Sequence, residues 1–239
     1  ASMGRMVSGV AHEFRNPLGI IRSSAELLLN RPDTSDLNKR IIRAVYDESK
    51  RLSQTVNDFL DYARPKPPNM QPVNLSNVLD QALTFLESEF TKLGVGMERD
   101  FEDEVMIMGD KDLLYRAFYN VVSNGLQAMG GPGRMLVQAL ATDEAVLVRI
   151  MDSGPGIPED LKEQLLDPFF TTKDEGTGLG LTIVNNIVQS HGGRLELGNC
   201  LEILQENASD SHGHQETPAI SLSGACITLR FPKPFELYR

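Results

Sequence analysis

Apolar residues recur at helical spacing along the first sixty positions. Over residues 6–30 they are Val7, Val10, Phe14, Leu18, Ile21, Ala25 and Leu28, which predicts one amphipathic helix. Pro17 falls inside it. Proline has no N–H to donate and crowds the preceding turn, so a bend just past residue 12 is expected, as a functional hinge or as a tolerated kink. Residues 31–36 supply breaker and capping types, and a second helix is expected over 37–63, with Ile41, Ile42, Val45, Leu52, Val56, Phe59 and Leu60 on its apolar face. Two such helices joined by a short loop form an antiparallel hairpin. Each helix then has a single neighbour and one hairpin cannot cover both stripes. Pairing two hairpins into a four-helix bundle solves this, so a homodimer is predicted.

The run Ala63-Arg64-Pro65-Lys66-Pro67-Pro68 ends the second helix in a stiff, non-helical connector. The expected division is therefore 1–64, a linker over 65–73, and a second domain over 74–239. In that domain a helix is expected over 74–93, with Leu75, Val78, Leu79, Ala82, Leu86 and Phe90 on one face and Asn74 as its cap. Short strands are expected over 95–101 and 104–108. A helix over 110–129 carries Leu113, Leu114, Ala117, Val121, Val122 and Leu126. Residues 135–140 and 145–151 alternate as neighbouring strands, 181–190 is an amphipathic helix, and 225–231 is a last strand ended by Pro232. A helical start followed by mixed elements is an α+β chain.

The 239 residues suffice for one large domain or two modest ones, each with a core. A net charge of −10 leaves no basic stripe for phosphate backbones, so no nucleic-acid partner is expected. Cys200 and Cys226 lie far apart with no metal-ligand spacing and suggest no disulfide framework. No apolar run reaches membrane-spanning length and no signal peptide is present, so the fragment itself is expected outside the bilayer. Ala1-Ser2 ahead of Met3 reads as a cloning scar. A piece of a longer protein is therefore expected, with any sensing or anchoring segment lying elsewhere and the full-length protein open to membrane anchoring.

Candidate chemistry begins at His12 and Glu13. Imidazole near neutral pH can attack an electrophile, and an adjacent carboxylate can accept its proton; Asn16 lies one turn further along. By itself a histidine near a chain start is ordinarily a solvated side chain. Asn120 and Asn124 share a helix face, although asparagine is poor inside helices. Two readings fit: amide oxygens for a magnesium ion, or buried amides satisfied by backbone. Asp152-Ser153-Gly154-Pro155-Gly156-Ile157 ends a strand in a glycine-flanked turn, where Asp152 could accept from an exocyclic amine such as that of adenine. Asp167-Pro168-Phe169-Phe170-Thr171-Thr172-Lys173 follows a polar, weakly periodic stretch that suits a mobile lid. Gly176, Gly178 and Gly180, with Thr177 and Leu179 between them, lead into a helix whose free N–H groups suit phosphate, and Lys173 adds a cation. The spacing is neither a dinucleotide fingerprint nor a P-loop.

Taken together and in this order, the motifs resemble those of two-component sensor histidine kinases. Residues 10–18 resemble the family's H box, 120–124 its N box, 152–157 its G1 box, 167–173 its F box and 176–181 its G2 box. The Pro-Phe-Phe-Thr-Thr-Lys wording and short lid are similar to the nitrogen-regulation-type branch. The resemblance implies a dimerisation and histidine-phosphotransfer domain. It implies a catalytic ATP-binding domain behind it, an α/β sandwich with one mixed sheet covered by helices on one face. His12 would be the phosphoacceptor, Glu13 its general base, and Asn16 a residue positioning water for dephosphorylation. Asn124 would be the main magnesium ligand with Asn120 assisting, and Asp152 would hold the adenine amine beside Gly154 and Gly156. Lys173, Thr177, Gly178, Leu179 and Gly180 would line the phosphate tail. ATP and magnesium are the implied cofactors, and an aspartate on a response-regulator receiver domain is the implied acceptor.

Two departures stand out. Residues 198–224 form a long polar excursion where the family has a short turn, and Gly125 stands where alanine is commoner. Within the excursion His212 and His214 are a candidate metal pair or simply a solvated loop. The sequon at Asn207 is set aside because the resemblance implies a cytoplasmic core. The second domain also resembles gyrase and MutL-type ATPases, which lack an H-box hairpin.

Overall fold

Two long helices open the chain, α1 (Ser2–Leu29) and α2 (Asp36–Ala63). A computed structural model describes residues 2–173, 176–200 and 222–234, without the side chains of 2–13 and 15. Contacts divide the chain into two units, Ala1–Lys66 with Lys173–Leu179 and Pro67–Thr172 with Gly180–Arg239.

In the first unit α1 remains one helix through Pro17, so the missing N–H removes a ladder bond without ending the element. Ser35 caps α2, its side chain accepting the Asn38 N–H, and Thr34 Oγ1 donates to the Leu28 carbonyl at 3.0 Å. Across the hairpin the buried Ser49 hydroxyl donates to the Leu18 carbonyl at 2.8 Å. Leu18 and Ala25 are buried. Phe14, Ile21 and Leu28 on α1, and Val45, Leu52 and Phe59 on α2, stay between 39% and 56% exposed. Each set repeats every seventh position, the spacing of a coiled-coil seam.

The second unit begins with β1 (Gln71–Asn74), which pairs antiparallel with β3 (Met106–Gly109). The single helix expected over 74–93 is two, α3 (Leu75–Phe85) and α4 (Glu87–Leu93). Between them Leu86 sits at φ −90°, ψ 2°, and the break leaves both Leu86 and Phe90 buried. Asn74 caps α3 as expected, accepting from the N–H groups of Ser76 and Asn77.

A five-stranded sheet follows. It comprises β2 (Val95–Phe101), β4 (Gly133–Ala141), β5 (Ala145–Asp152), β6 (Arg194–Asn199) and β7 (Ala225–Pro232). Its order is β2-β4-β5-β7-β6, with β2 and β4 parallel and the other pairs antiparallel, so the sheet is mixed. Helix α5 (Lys111–Met129) packs between α3 and α6 (Gly180–Ser190), and α5 and α6 reach the sheet at β5 and β7. Asp110 caps the start of α5 and a left-handed Gly130 closes it.

Strands β4 and β5 depart from simple alternation, because residues on both of their faces are buried. Val137, Val148 and Leu229 are buried on one face; Leu136, Met151 and Cys226 pack with Cys200 and Leu222 on the other. Between β5 and α6 the stretch expected to be a lid contains two 3-10 turns, Glu159–Leu161 and Gln164–Leu166. No helix of the described residues is long and apolar enough to cross a membrane.

Candidate active site

Strand β5, the central strand of the sheet, ends at Asp152, which has only 5% of its surface exposed. Its Oδ1 accepts two backbone N–H groups, from Gly154 at 2.8 Å and from Ala225 at 3.2 Å. Its own carbonyl accepts the Gly224 N–H at 3.1 Å. Burial pushes the Asp152 carboxyl above its ordinary value, and the two N–H donors offset this only in part. Oδ2 points toward α5, 3.4 Å from where a Cβ on Gly125 would stand. A Cβ there would also stand 2.7 Å from Met135 Cε, so the residue noted as a departure gives its room to the Met135 methyl beside the carboxylate.

The turn after Asp152 requires its glycines. A Cβ on Gly154 would come within 2.9 Å of Asp152 Oδ1. Gly156 lies at φ 77°, and a Cβ there would stand 2.6 Å from Asn199 Oδ1. That Asn199 oxygen accepts the Ile157 N–H at 2.7 Å, while its Nδ2 donates to the Ile157 carbonyl at 3.0 Å.

Asn120 and Asn124 lie one turn apart on α5, both half-buried. Helix α6 begins at Gly180, where a Cβ would stand 3.6 Å from Asn124 Nδ2, so the first turn of α6 faces that amide. The first N–H groups of a helix have no partners within it and suit an anion. Among the described residues no group of three His, Cys, Asp or Glu side chains could hold a metal by itself. Two amide oxygens still fit magnesium, which favours hard oxygen ligands and fills its remaining positions with phosphate and water.

The second unit therefore contains Asn120, Asn124, Asp152, Gly154, Gly156 and Gly180, while Lys173, Thr177, Gly178 and Leu179 fall in the first. There Lys173 is exposed, Leu179 is buried and donates its N–H to Thr177 Oγ1 at 3.4 Å, and Gly178 takes φ 65°. Phe169 is 58% exposed and is the only described non-glycine residue at positive φ, 69°. Such a conformation costs about 1–3 kcal/mol and clusters at functional segments. His12 and Glu13 lie on α1, with side chains outside the described residues; Asn16 is exposed one turn on. His212, His214 and the sequon at Asn207 also fall outside the described residues. Sequence reasoning missed Asn199 and the Gly224-Ala225 backbone as supports of the Asp152 turn.

Comparison with known proteins gives a consistent result. Residues 109–234 match the family described as histidine kinase-, DNA gyrase B-, and HSP90-like ATPase, and residues 2–68 match the His Kinase A (phospho-acceptor) domain. Sensor histidine kinase ZraS of Salmonella typhi is 31% identical over 198 residues, 82% of this chain and 43% of ZraS. The structure of histidine kinase ThkA in complex with response regulator protein TrrA is 25% identical with a TM-score of 0.65, over 98% of this chain and 63% of that one. Full-length ShkA in complex with AMPPNP shares the fold, with a TM-score of 0.77 at 23% identity over 96% of this chain and 46% of that one. The chain spans less than half the length of the curated relatives it matches.

Proposed function

We propose, from the premise that this chain belongs to the histidine kinase-, DNA gyrase B- and HSP90-like ATPases and carries a phosphoacceptor domain ahead of its ATPase domain, that it is the catalytic core of a sensor histidine kinase. The phosphoryl donor is ATP and the acceptor is the His12 imidazole. The group then passes to an aspartate on a response-regulator receiver domain, and the same site also removes it from that partner.

The observation that carries this reading is Asp152. Its Oδ1 is engaged by two N–H groups while Oδ2 is turned toward α5 at Gly125. In its ionised form Oδ2 accepts a hydrogen from the adenine amine, and Gly154 and Gly156 let the base approach the backbone. Asn124, assisted by Asn120, would hold a magnesium ion, which when bound neutralises charge on the phosphates. Lys173 and the backbone of Gly178 and Gly180, with Thr177 and Leu179 beside them, would line the phosphate chain.

A ring nitrogen of His12 attacks the γ-phosphorus in line. The bond to the bridging oxygen breaks, ADP leaves, and Glu13 takes the ring proton. Asn16 orients the water that hydrolyses the partner's phosphoaspartate. The exposed seven-residue stripes on α1 and α2 support a homodimer, in which they become the seam of a four-helix bundle.

Phosphotransfer profiling tests the assignment. Labelled protein offered to the receiver domains of its source is expected to pass label rapidly to one or a few of them. Label that stays on the kinase with every receiver would remove the phosphotransfer role.

A further inference from the structure

The polar excursion between β6 and β7 starts and finishes on the turn that holds Asp152. At its start, Asn199 bonds both backbone groups of Ile157, at 2.7 and 3.0 Å, and packs where a side chain on Gly156 would collide. At its end, the Gly224 N–H donates to the Asp152 carbonyl and the Ala225 N–H donates to Asp152 Oδ1. A Cβ on Gly224 would overlap the Asp152 carboxylate and carbonyl and the Gly154 nitrogen. The two ends are tied to each other by the Cys200 N–H, which donates to the Gly224 carbonyl at 3.0 Å.

This arrangement decides which carboxylate oxygen is available to a base. With Oδ1 held by Gly154 and Ala225, the carboxylate cannot rotate without losing two bonds, so acceptance falls to Oδ2. Adenine offers an amine hydrogen at the position where guanine carries a carbonyl oxygen. A carboxylate fixed in one orientation therefore rewards adenine and repels guanine, whereas one free to turn could find the N–H groups on guanine's neighbouring edge.

We propose that the two ends of the excursion form a clamp on Asp152, and that Asn199 and Gly224 are positioning residues setting selectivity for adenine over guanine nucleotides. The inference rests on the reading of Asp152 as the adenine acceptor. Asn199 acts through Ile157 and Gly156, Gly224 through the backbone of Asp152 and Gly154.

The test measures ATP and GTP affinities by titration calorimetry on the full chain, in wild type, Asn199→Ala, Asn199→Asp, Gly224→Ala and Asp152→Asn. Asn199→Ala and Gly224→Ala are expected to lower the ATP-to-GTP preference by about tenfold, the effect of losing roughly one well-made hydrogen bond. Asn199→Asp keeps the acceptor for the Ile157 N–H and is expected to fall between them and wild type. A purely structural role would weaken both nucleotides equally and leave the ratio unmoved. Should either Ala variant fail to fold, as judged by circular dichroism, the ratio in Asn199→Asp decides. An unchanged ratio in the folded Asn199 and Gly224 variants, with the ratio lost in Asp152→Asn, overturns the clamp and leaves the adenine reading standing. An unchanged ratio in Asp152→Asn as well overturns both.

Discussion

The buried His191 ring accepts the Asp110 N–H through Nε2 at 2.9 Å, while its Nδ1 lies 2.7 Å from the Ile187 carbonyl. A carbonyl only accepts, so Nδ1 carries the proton and the ring is neutral. The bond joins the residue just past α6 to the cap of α5, the two helices that bring Gly180 and Asn124 face to face. His191 also stands edge-on to Phe231, ring centres 6.4 Å apart.

Replacing His191 with alanine leaves the Asp110 N–H without its acceptor and opens a cavity beside Phe231. The expected loss is about 2–4 kcal/mol, read as a lower urea midpoint with unchanged slope. A change below half a kcal/mol would mean that the junction contributes little.

Asp110 extends this junction, accepting the N–H groups of Asp112 and Leu113 through Oδ1 and that of Asn69 through Oδ2. Burial raises its carboxyl, but the backbone N–H donors of Asn69, Leu113 and Asp112 outweigh it and the net shift is downward. A carboxyl lowered in the fold stabilises above its unfolded value and loses that contribution as pH falls through the folded one. Asp110→Ala should therefore cost about 1–2 kcal/mol at neutral pH, as for a lost helix cap. The gap to wild type should narrow in acid; a gap constant with pH would contradict the capping account.

Asp152 behaves in the opposite sense. Its raised carboxyl favours the protonated form in the fold, a contribution present below the unfolded value and lost as pH rises through the folded one. Adenine needs the ionised form, so nucleotide affinity should strengthen as pH rises through that raised value. Calorimetric titration with ADP across the acid range should show this rise in wild type and a flat, weak response in Asp152→Asn. Identical profiles would contradict the assignment.

The stripe on α2 makes a further prediction. Leu52 is 45% exposed in the single chain and would be buried in a four-helix bundle. Leu52→Asp should halve the mass seen by light scattering while leaving the nucleotide-binding unit folded, since an unpaired carboxylate in an apolar seam is strongly disfavoured. A variant that keeps the wild-type mass would remove the seam.

Much of this was legible because local chemistry and tertiary packing agree. The apolar repeats outline both hairpin helices, and Asn74 and Asp110 mark helix starts by their side-chain oxygens. What was missed depends on distant partners. β1 has no pattern of its own and is defined by pairing with β3, far along the chain. The break at Leu86 is invisible in an unbroken apolar period. Asn199 reads as an ordinary strand end until its side chain is seen on Ile157. Gly125 looked like a minor substitution, yet its missing Cβ borders the Asp152 carboxylate.

The central claim is transfer of phosphate from bound ATP to His12, and labelling tests it most directly. The chain is incubated with magnesium and ATP labelled at the γ-position, and the adduct is mapped and assayed for stability. An acid-labile, base-stable label on His12, absent from a His12→Gln variant that still binds ATP, is the expected result. No label on the wild-type chain, or equal label on the variant, would contradict it.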